Sequence, residues 1–323
     1  MQMQSYREKI SNNINNTIQE TNFPALGRKY KGKVRDTYTI DERIVMITTD
    51  RISAFDHVLG TIPFKGQVLN QIAAWWFEKT KNVAASDLID VPDPNVMVKK
   101  ACRTVPIEVV FRGYLTGSAW RDYQAGKPVS GIVLPKGMKK DRKFDKPLLT
   151  PSTKAKEGHD IPISEGEIVK QGIVQRELWE TVREKGLKLF LKGQELAMKQ
   201  GLILVDTKYE FGIDKDGNVL VIDEIHTPDS SRFWIRDSYE ELFKAGKDQN
   251  MLDKEFVRQW LIREKNFMGH GPLPELSNEI KISAGLRYID LYEKITGGKF
   301  RFPEDRPVLE RIQDNLRKKG YLK

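Results

Sequence analysis

The residues with the most chemical content lie in one stretch, LILVDTKYEFGIDKDGNVLVIDEIHTPDSSRFW, residues 202–234. Asp216-Gly217 has the composition of a two-residue hairpin turn between two apolar runs. With that turn Phe211 opposes Ile222, Ile213 opposes Leu220 and Glu210 opposes Asp223. Lys208 shares the face of both carboxylates through the strand's period of two. Carboxylates facing each other across strands repel, and a cation between them relieves the repulsion. Mg²⁺ bound to nucleotide phosphates is such a cation, because it takes one or two carboxylates, several waters and phosphate oxygens. Lys208 adds a point charge for the same phosphates. The other reading of the segment is a solvated hairpin face with scattered charges. Asp214-x-Asp216-Gly is not an EF-hand loop, since its glycine comes too early.

Three further segments carry candidate chemistry. In Thr227-Pro228-Asp229-Ser230-Ser231-Arg232, small hydroxyls beside an arginine make a phosphate cradle, which is compatible with Ser230 or Ser231 capping a helix. In GKVRD, Gly32 lets the backbone approach phosphates closely. Lys33 and Arg35 alternate with Val34, so both basic heads face one side; this is either a flap over phosphates or a basic hairpin, and not a Walker A loop. In EVVFRGYLTGSAW, residues 108–120, Arg112 ends an apolar strand, placed to hold a carboxylate bidentately or to snorkel at a lobe edge. His57 and His159 are candidate general bases, although a carboxylate or departing phosphate can take the same proton. Cys102 follows Lys99 and Lys100, but no base or acyl-transfer motif lies beside it.

These residues need elements to hold them. Residues 5–20 read as a polar helix or arm and residues 28–63 as strands. Val34, Asp36, Tyr38 and Ile40 share one face, and Asp41-Glu42 forms the turn to the run 43–49. Residues 67–81 read as a helix carrying Ile72, Trp75 and Trp76. Strand returns over 91–115, strongest from Val105 to Tyr114. Residues 127–163 show little periodicity and read as a long functional loop. Ser164 and Glu167 have capping-box spacing before a helical stretch running to Gly201. After the strands of 202–225 the remainder reads as helical. Asp253 is a candidate N-cap, and an apolar stripe of Ile280, Ala284, Leu291 and Ile295 stops at Gly297-Gly298. The predicted class is α+β, two-lobed, with an antiparallel sheet-rich N-terminal lobe and a mixed lobe closed by helices.

The chain has 323 residues, 39% hydrophobic and 31% charged, which describes an ordinary globular protein of two lobes. A net charge of +9 favours anionic partners. A nucleic-acid module is one reading of that charge, with Trp75-Trp76 as a stacking surface, but helical spacing favours the core for both tryptophans. A single cysteine forms no internal disulfide and fits a reducing compartment. No apolar leader or membrane-length run is present. A cytoplasmic protein is expected, with small-molecule partners and no nucleic-acid or membrane partner.

Taken in order, GKVRDTY, TDRISAFD, PIEVVFRGYLTGSAW, LLTPSTKA, DTKYEFG and DEIHTPDSSRFW resemble the SAICAR synthetase family over nearly the whole chain. The form is the longer one, with an extended loop near 130–163 and a helical C-terminal extension. The resemblance implies ligation of L-aspartate to CAIR (carboxyaminoimidazole ribonucleotide) with ATP and Mg²⁺, giving SAICAR, ADP and phosphate through an acyl phosphate. It implies Gly32, Lys33 and Arg35 as the flap over ATP, Lys208 on ATP phosphates, and Glu210 and Asp223 on Mg²⁺. Arg112 and Ser118 would bind the CAIR carboxylate region or aspartate, and Ser231 and Arg232 the ribonucleotide's 5′-phosphate. Asp50 and Ser53 would line the cleft, and Ser152, Thr153 and Lys154 would close over substrate. The expected organisation is an ATP-flap lobe over 1–105, a central lobe with metal and substrate sites over 106–250, and a helical segment over 251–323. A small-molecule kinase would share the flap and metal hairpin without an acyl acceptor. His226 is a departure, since related sequences often carry an apolar or aromatic residue there.

Overall fold

The computed structural model describes residues 2–55, 57–154, 160–251 and 255–323. His159 and the candidate cap Asp253 lie outside the described residues. In chain order the strands are β1 Arg28–Lys31, β2 Arg35–Ile40, β3 Arg43–Thr48, β4 Arg51–Ala54, β5 His57–Thr61, β6 Leu88–Asp93, β7 Val96–Lys100, β8 Arg103–Thr104, β9 Ile107–Tyr114, β10 Lys143–Leu149, β11 Ser152–Thr153, β12 Ile161–Pro162, β13 Leu202–Ile213, β14 Val219–Ile222 and β15 Ser231–Ile235. The helices are α1 Gln2–Asn12, α2 Lys65–Thr80, α3 Gly117–Gln124, α4 Glu165–Lys170, α5 Arg176–Lys199, α6 Arg236–Lys244, α7 Glu255–Lys265, α8 Asn278–Thr296 and α9 Val308–Lys318. The class is α+β. Two compact units divide the chain: Met1–Trp75 with Leu88–Ala101 and Asp253–Lys323, and Trp76–Asp87 with Cys102–Leu252.

The first unit holds an antiparallel sheet in the order β1-β2-β3-β7-β6 and a separate β4–β5 ribbon. In β2 the period of two buries Asp36 and Tyr38. Asp41 takes a left-handed φ of 50° in the two-residue turn to β3. Tyr38, Val45, Ile47, Val96 and Val98 pack with Ile312 and Leu316 of α9. Helix α8 starts at Ser277, whose hydroxyl accepts from Ile280 N, and stops at left-handed Gly297.

The second unit is built on β13. On one side β13 pairs antiparallel with β9; on the other it pairs first with β15 and then with β14. Val109, Phe111, Tyr209 and Phe211 are buried, and α5 covers β9 and β13. Gly186 of α5 permits this, because a Cβ there would sit 2.7 Å from Phe111 Cε2. Trp76 is 1% exposed and belongs to the core, so it offers no stacking surface.

Four expectations are corrected. The stretch 127–163 is not an unstructured loop: β10, β11 and β12 lie in it, and β10 and β11 pair with β9. Pro135, Pro147, Pro151 and Pro162 interrupt the periodicity that would mark such short strands. The helix 164–201 is two helices; the capping box of Ser164 and Glu167 starts only α4, and α5 begins anew at Arg176. Ser231 and Arg232 stand in strand β15 rather than in a turn, and α6 is capped at Ile235, not at Ser230 or Ser231.

The fourth correction concerns register. Glu210 opposes Ile222, Phe211 opposes Val221, and Ile213 opposes Val219. Asp214 N donates to Asn218 O at 3.0 Å, closing a three-residue loop over 215–217 with Gly217 at φ 83°. Asp214 Oδ1 accepts from Asp216 N and Asn218 N, an Asx arrangement that fixes the longer loop. Glu210 and Asp223 are therefore not a directly opposed pair.

Candidate active site

One face of the β9–β13 pair brings together Arg112, Arg232, Lys208 and Glu210 among the candidate residues. Opposed residues share a face, and Asp206 opposes both Arg112 of β9 and Arg232 of β15. Asp206 Oδ2 accepts from Arg112 Nη1 at 3.2 Å and from Arg232 Nη1 at 2.9 Å. Arg112 also donates through Nε to Thr150 Oγ1 at 2.8 Å and through Nη2 to Ser118 Oγ at 3.1 Å. Burial, opposed by the charge of Asp206, pulls the Arg112 guanidinium below its ordinary value, which leaves it cationic. Two guanidiniums on one carboxylate leave a positive surplus, chemistry that suits an anion. Gly117 clears the space for Arg232: a Cβ there would stand 2.1 Å from Nη1.

Two residues along β13 the sign reverses. Lys208 pairs with Glu108 of β9, and its Nζ lies 3.6 Å from Glu210 Oε1. Lys154 pairs with the other oxygen of Glu210. Burial works against the charge of Lys208, but Glu108, Glu210 and Asp223 outweigh it and raise the ammonium above its ordinary value. Asp223 follows β14 with a left-handed φ of 65°, which takes it out of the strand alternation, and its charge acts on Lys208. Three carboxylates around two lysines, both of them partly exposed, form a hard-oxygen set with a negative surplus. That set suits Mg²⁺ with phosphate oxygens. Among the described residues no group of three His, Cys, Asp or Glu side chains is arranged to hold a metal ion by itself.

The remaining candidates are placed elsewhere or differently. Gly32, Lys33 and Val34 precede β2 as a turn rather than lying in the strand alternation, and Arg35 opens β2. Arg51, fully buried, fastens this turn: Nη2 donates to Gly32 O at 2.9 Å and to Asp36 Oδ1 at 2.8 Å, and Nε to Lys33 O at 3.0 Å. Lys33 itself is exposed. Asp50 is 2% exposed, its two oxygens taken by Ile18 N at 2.7 Å and Gly66 N at 2.9 Å. Burial raises its carboxyl to about 6. Ser53 pairs with Val58 in the β4–β5 ribbon. His57 is exposed, with Nε2 at 3.2 Å from Gly269 O. Ser152 and Thr153 pair with Glu108 and Ile107. Ser231, by strand alternation, points away from Arg232 and bonds Thr207 Oγ1 at 2.7 Å.

Sequence reasoning missed Asp206, Thr150, Glu108 and Arg51. Asp206 was accessible to the period-two rule that places Lys208 with Glu210. Glu108 and Thr150 come to the site only through long-range pairing with β9, which no local signal announces.

A sheet face with surplus guanidinium at one end and surplus carboxylate at the other suits the class of enzymes that act on anionic substrates and nucleotide phosphates. The SAICAR synthetase family model matches residues 28–271. A phosphoribosylaminoimidazole-succinocarboxamide synthase of Legionella pneumophila (strain Paris) is 46% identical over 307 residues, covering 93% of this chain and 98% of that protein. The Saccharomyces cerevisiae SAICAR synthase structure, complexed with SAICAR, superposes with a TM-score of 0.78 at 33% identity, over 88% of this chain and 100% of the other. A type-2 SAICAR synthetase in complex with ADP matches with a TM-score of 0.64 at 27% identity, over 85% of this chain and 100% of that one. The chain belongs to the SAICAR synthetase family, carbon–nitrogen ligases that use ATP to join L-aspartate to CAIR in purine biosynthesis. Among the described residues no helix is long and apolar enough to cross a membrane.

Proposed function

We propose that the chain carries out this ligation through an acyl phosphate, with the two charge clusters of the β9–β13 face in separate roles. A carboxylate is a poor acylating agent. Its oxygen takes the γ-phosphoryl group of ATP, ADP leaves, and the carbonyl carbon then bears a good leaving group. The amine of L-aspartate attacks that carbon, phosphate departs, and the amine's surplus proton goes to phosphate or solvent. Positioning and charge stabilisation carry such a reaction.

Arg112, steadied by Asp206, Thr150 and Ser118, binds the reacting carboxylate bidentately. Arg232 takes the ribonucleotide's 5′-phosphate, with Ser231 buried behind it to hold β15. Lys208 binds ATP phosphates, with Lys154 beside it on Glu210 at the end of the segment of Ser152 and Thr153. In the first unit the turn of Gly32, Lys33 and Arg35 offers its own basic groups to phosphate. Within the first unit, Ser53 adds a hydroxyl for substrate from the β4–β5 ribbon, and Asp50 acts by holding the backbone at Ile18 and Gly66. Glu210, Asp223 and Glu108 would hold Mg²⁺, which neutralises charge on the transferring phosphoryl group when bound. The single cysteine fits a cytoplasmic setting. The observation that carries this reading is the reversal of charge surplus between Asp206 and Lys208, two residues apart on one strand face. ADP release is expected to require CAIR, L-aspartate and Mg²⁺ together. Equal ADP release without aspartate would convert the reading to a kinase or a simple ATPase.

A further inference from the structure

Outside the β9–β13 face, a pocket of about 470 Å³ opens between the segment 138–141 and the C-terminal end of α6. Its size lies within the range of small-molecule sites. Two aromatic rings, Trp120 and Phe243, stand in its lining. Each is fixed by a stacked neighbour, Trp120 on Tyr123 at 5.6 Å and Phe243 on Tyr239 at 5.8 Å. Rings held this way present preorganised apolar surface.

Four lysines line the same pocket: Lys139, Lys140, Lys244 and Lys247. Asp248 pairs with Lys140 at 2.5 Å; the other three ammonium groups make no ion pair among the described residues. Lys244 also suits a helix C-terminus, but Lys139 and Lys247 have no such role.

Asp141 is the anomaly. It lines this cationic pocket yet is 4% exposed, and its Oδ1 accepts no hydrogen bond among the described residues. An unmatched buried oxygen costs free energy and calls for a partner. The backbone commits to this placement: Asp141 has a left-handed φ of 64°, its N donates to Leu115 O at 2.8 Å, and its O accepts from the Tyr239 hydroxyl at 3.0 Å. Burial raises its carboxyl against a Thr116 hydrogen bond and the charges of Lys140 and Arg232, and Oδ1 is the oxygen these leave unmatched.

Aromatic surface, a cluster of lysines and a buried acceptor are three elements suited to a phosphorylated, amino-bearing heteroaromatic. We propose that this pocket binds a purine nucleoside monophosphate, with the base against Trp120 and Phe243, an N–H group on Asp141 Oδ1, and the phosphate on Lys139, Lys244 and Lys247. The pocket adjoins the ligation residues, since the Asp141 carboxyl feels the charge of Arg232, but none of its lining residues is assigned to ligation.

The probe is AMP, titrated onto the full chain by equilibrium dialysis with the substrate sites filled by saturating ADP and SAICAR. Wild type is expected to bind AMP under these conditions, with adenosine and inorganic phosphate each weaker. Lys244→Glu/Lys247→Glu, two exposed changes, is expected to weaken AMP at least about tenfold, the loss of a charge-assisted contact. Turnover without AMP should stay unchanged in that variant, which separates failure of this site from failure of the ligase reading. Asp141→Asn keeps the left-handed backbone accessible and is expected to weaken AMP while leaving phosphate binding as it was. No AMP uptake beyond the filled sites, or uptake undiminished by the double reversal, overturns the proposal. Undiminished binding by Asp141→Asn overturns the amine contact and with it the ligand class.

Discussion

At the scale of single residues, charge surplus matters more than any one pair. Glu210 faces two cations, Lys208 and Lys154, and shares Lys208 with Glu108. Simple repulsion from Asp223 would make Glu210→Gln stabilising in the free protein, but these lysines remove that gain. Both lysines are more than a third exposed, so solvent screens the lost attraction. Glu210→Gln should therefore leave thermal stability without nucleotide within about 1 kcal/mol of wild type. Turnover should fall at least about 100-fold, because a metal-site carboxylate matters no less than its supporting shell. Melting with and without Mg²⁺–ATP checks both parts; an undiminished nucleotide-dependent rise in Tm with normal turnover would remove Glu210 from the site. The residues of this site were legible in the sequence where alternation along one strand sufficed, as for Lys208 and Glu210. Glu108, a hundred residues from Lys208 in sequence, was not, because its place depends on the β9–β13 pairing.

At the scale of elements, helix α5 and the sheet meet without slack. Gly186 is buried in α5, and an added methyl would meet Phe111 Cε2 at 2.7 Å and Val109 Cγ1 at 3.4 Å. Phe111 is itself stacked on Phe190 at 5.9 Å and lies 6.3 Å from Tyr209, so it has nowhere to move. Glycine to alanine in a helix interior gains about 1 kcal/mol of propensity, whereas overpacking a tight core costs about 1–3 kcal/mol. Overpacking wins, and Gly186→Ala should lower the urea midpoint with an unchanged slope. A raised midpoint would mean that the sheet yields at Phe111. Element types were largely legible from period and caps, as for α8 between Ser277 and Gly297. Register was not: Asp216-Gly217 reads as a two-residue turn, but Asp214 captures the amides of Asp216 and Asn218 and makes the loop one residue longer. A side chain outside the turn dipeptide thus shifted every pair in the hairpin.

At the scale of the whole molecule, acid should act unequally on its parts through two buried groups of opposite sense. In the first unit, burial raises the Asp50 carboxyl to about 6. Protonation there favours the folded state, and the contribution fades as pH rises through about 6. In the second unit, His226 is fully buried and burial alone lowers its imidazole to about 3. Its Nε2 meets the Tyr209 hydroxyl, its Nδ1 has no partner among the described residues, and it lies 4.6 Å from Trp76 edge-on. The folded state holds this ring neutral while the unfolded chain protonates it near 6.5. Stability from His226 is therefore full above about pH 6.5 and lost as pH falls toward 3, at about 1.4 kcal/mol per unit. Between pH 6.5 and 5 that amounts to roughly 2 kcal/mol. His226→Asn isolates it, since asparagine does not titrate and tolerates the left-handed φ of 51° at this position. The variant should carry a pH-independent cost from the altered Tyr209 contact. Its stability, followed by hydrogen exchange of the β13 amides, should decline less than wild type's between pH 6.5 and 5. The Asp50 region, read from amides of α2, should keep its own pH response in both proteins. Parallel pH profiles for β13 in the two proteins would show that His226 takes no proton on unfolding in this range, and that the buried ring is not what sets the acid limit of the second unit.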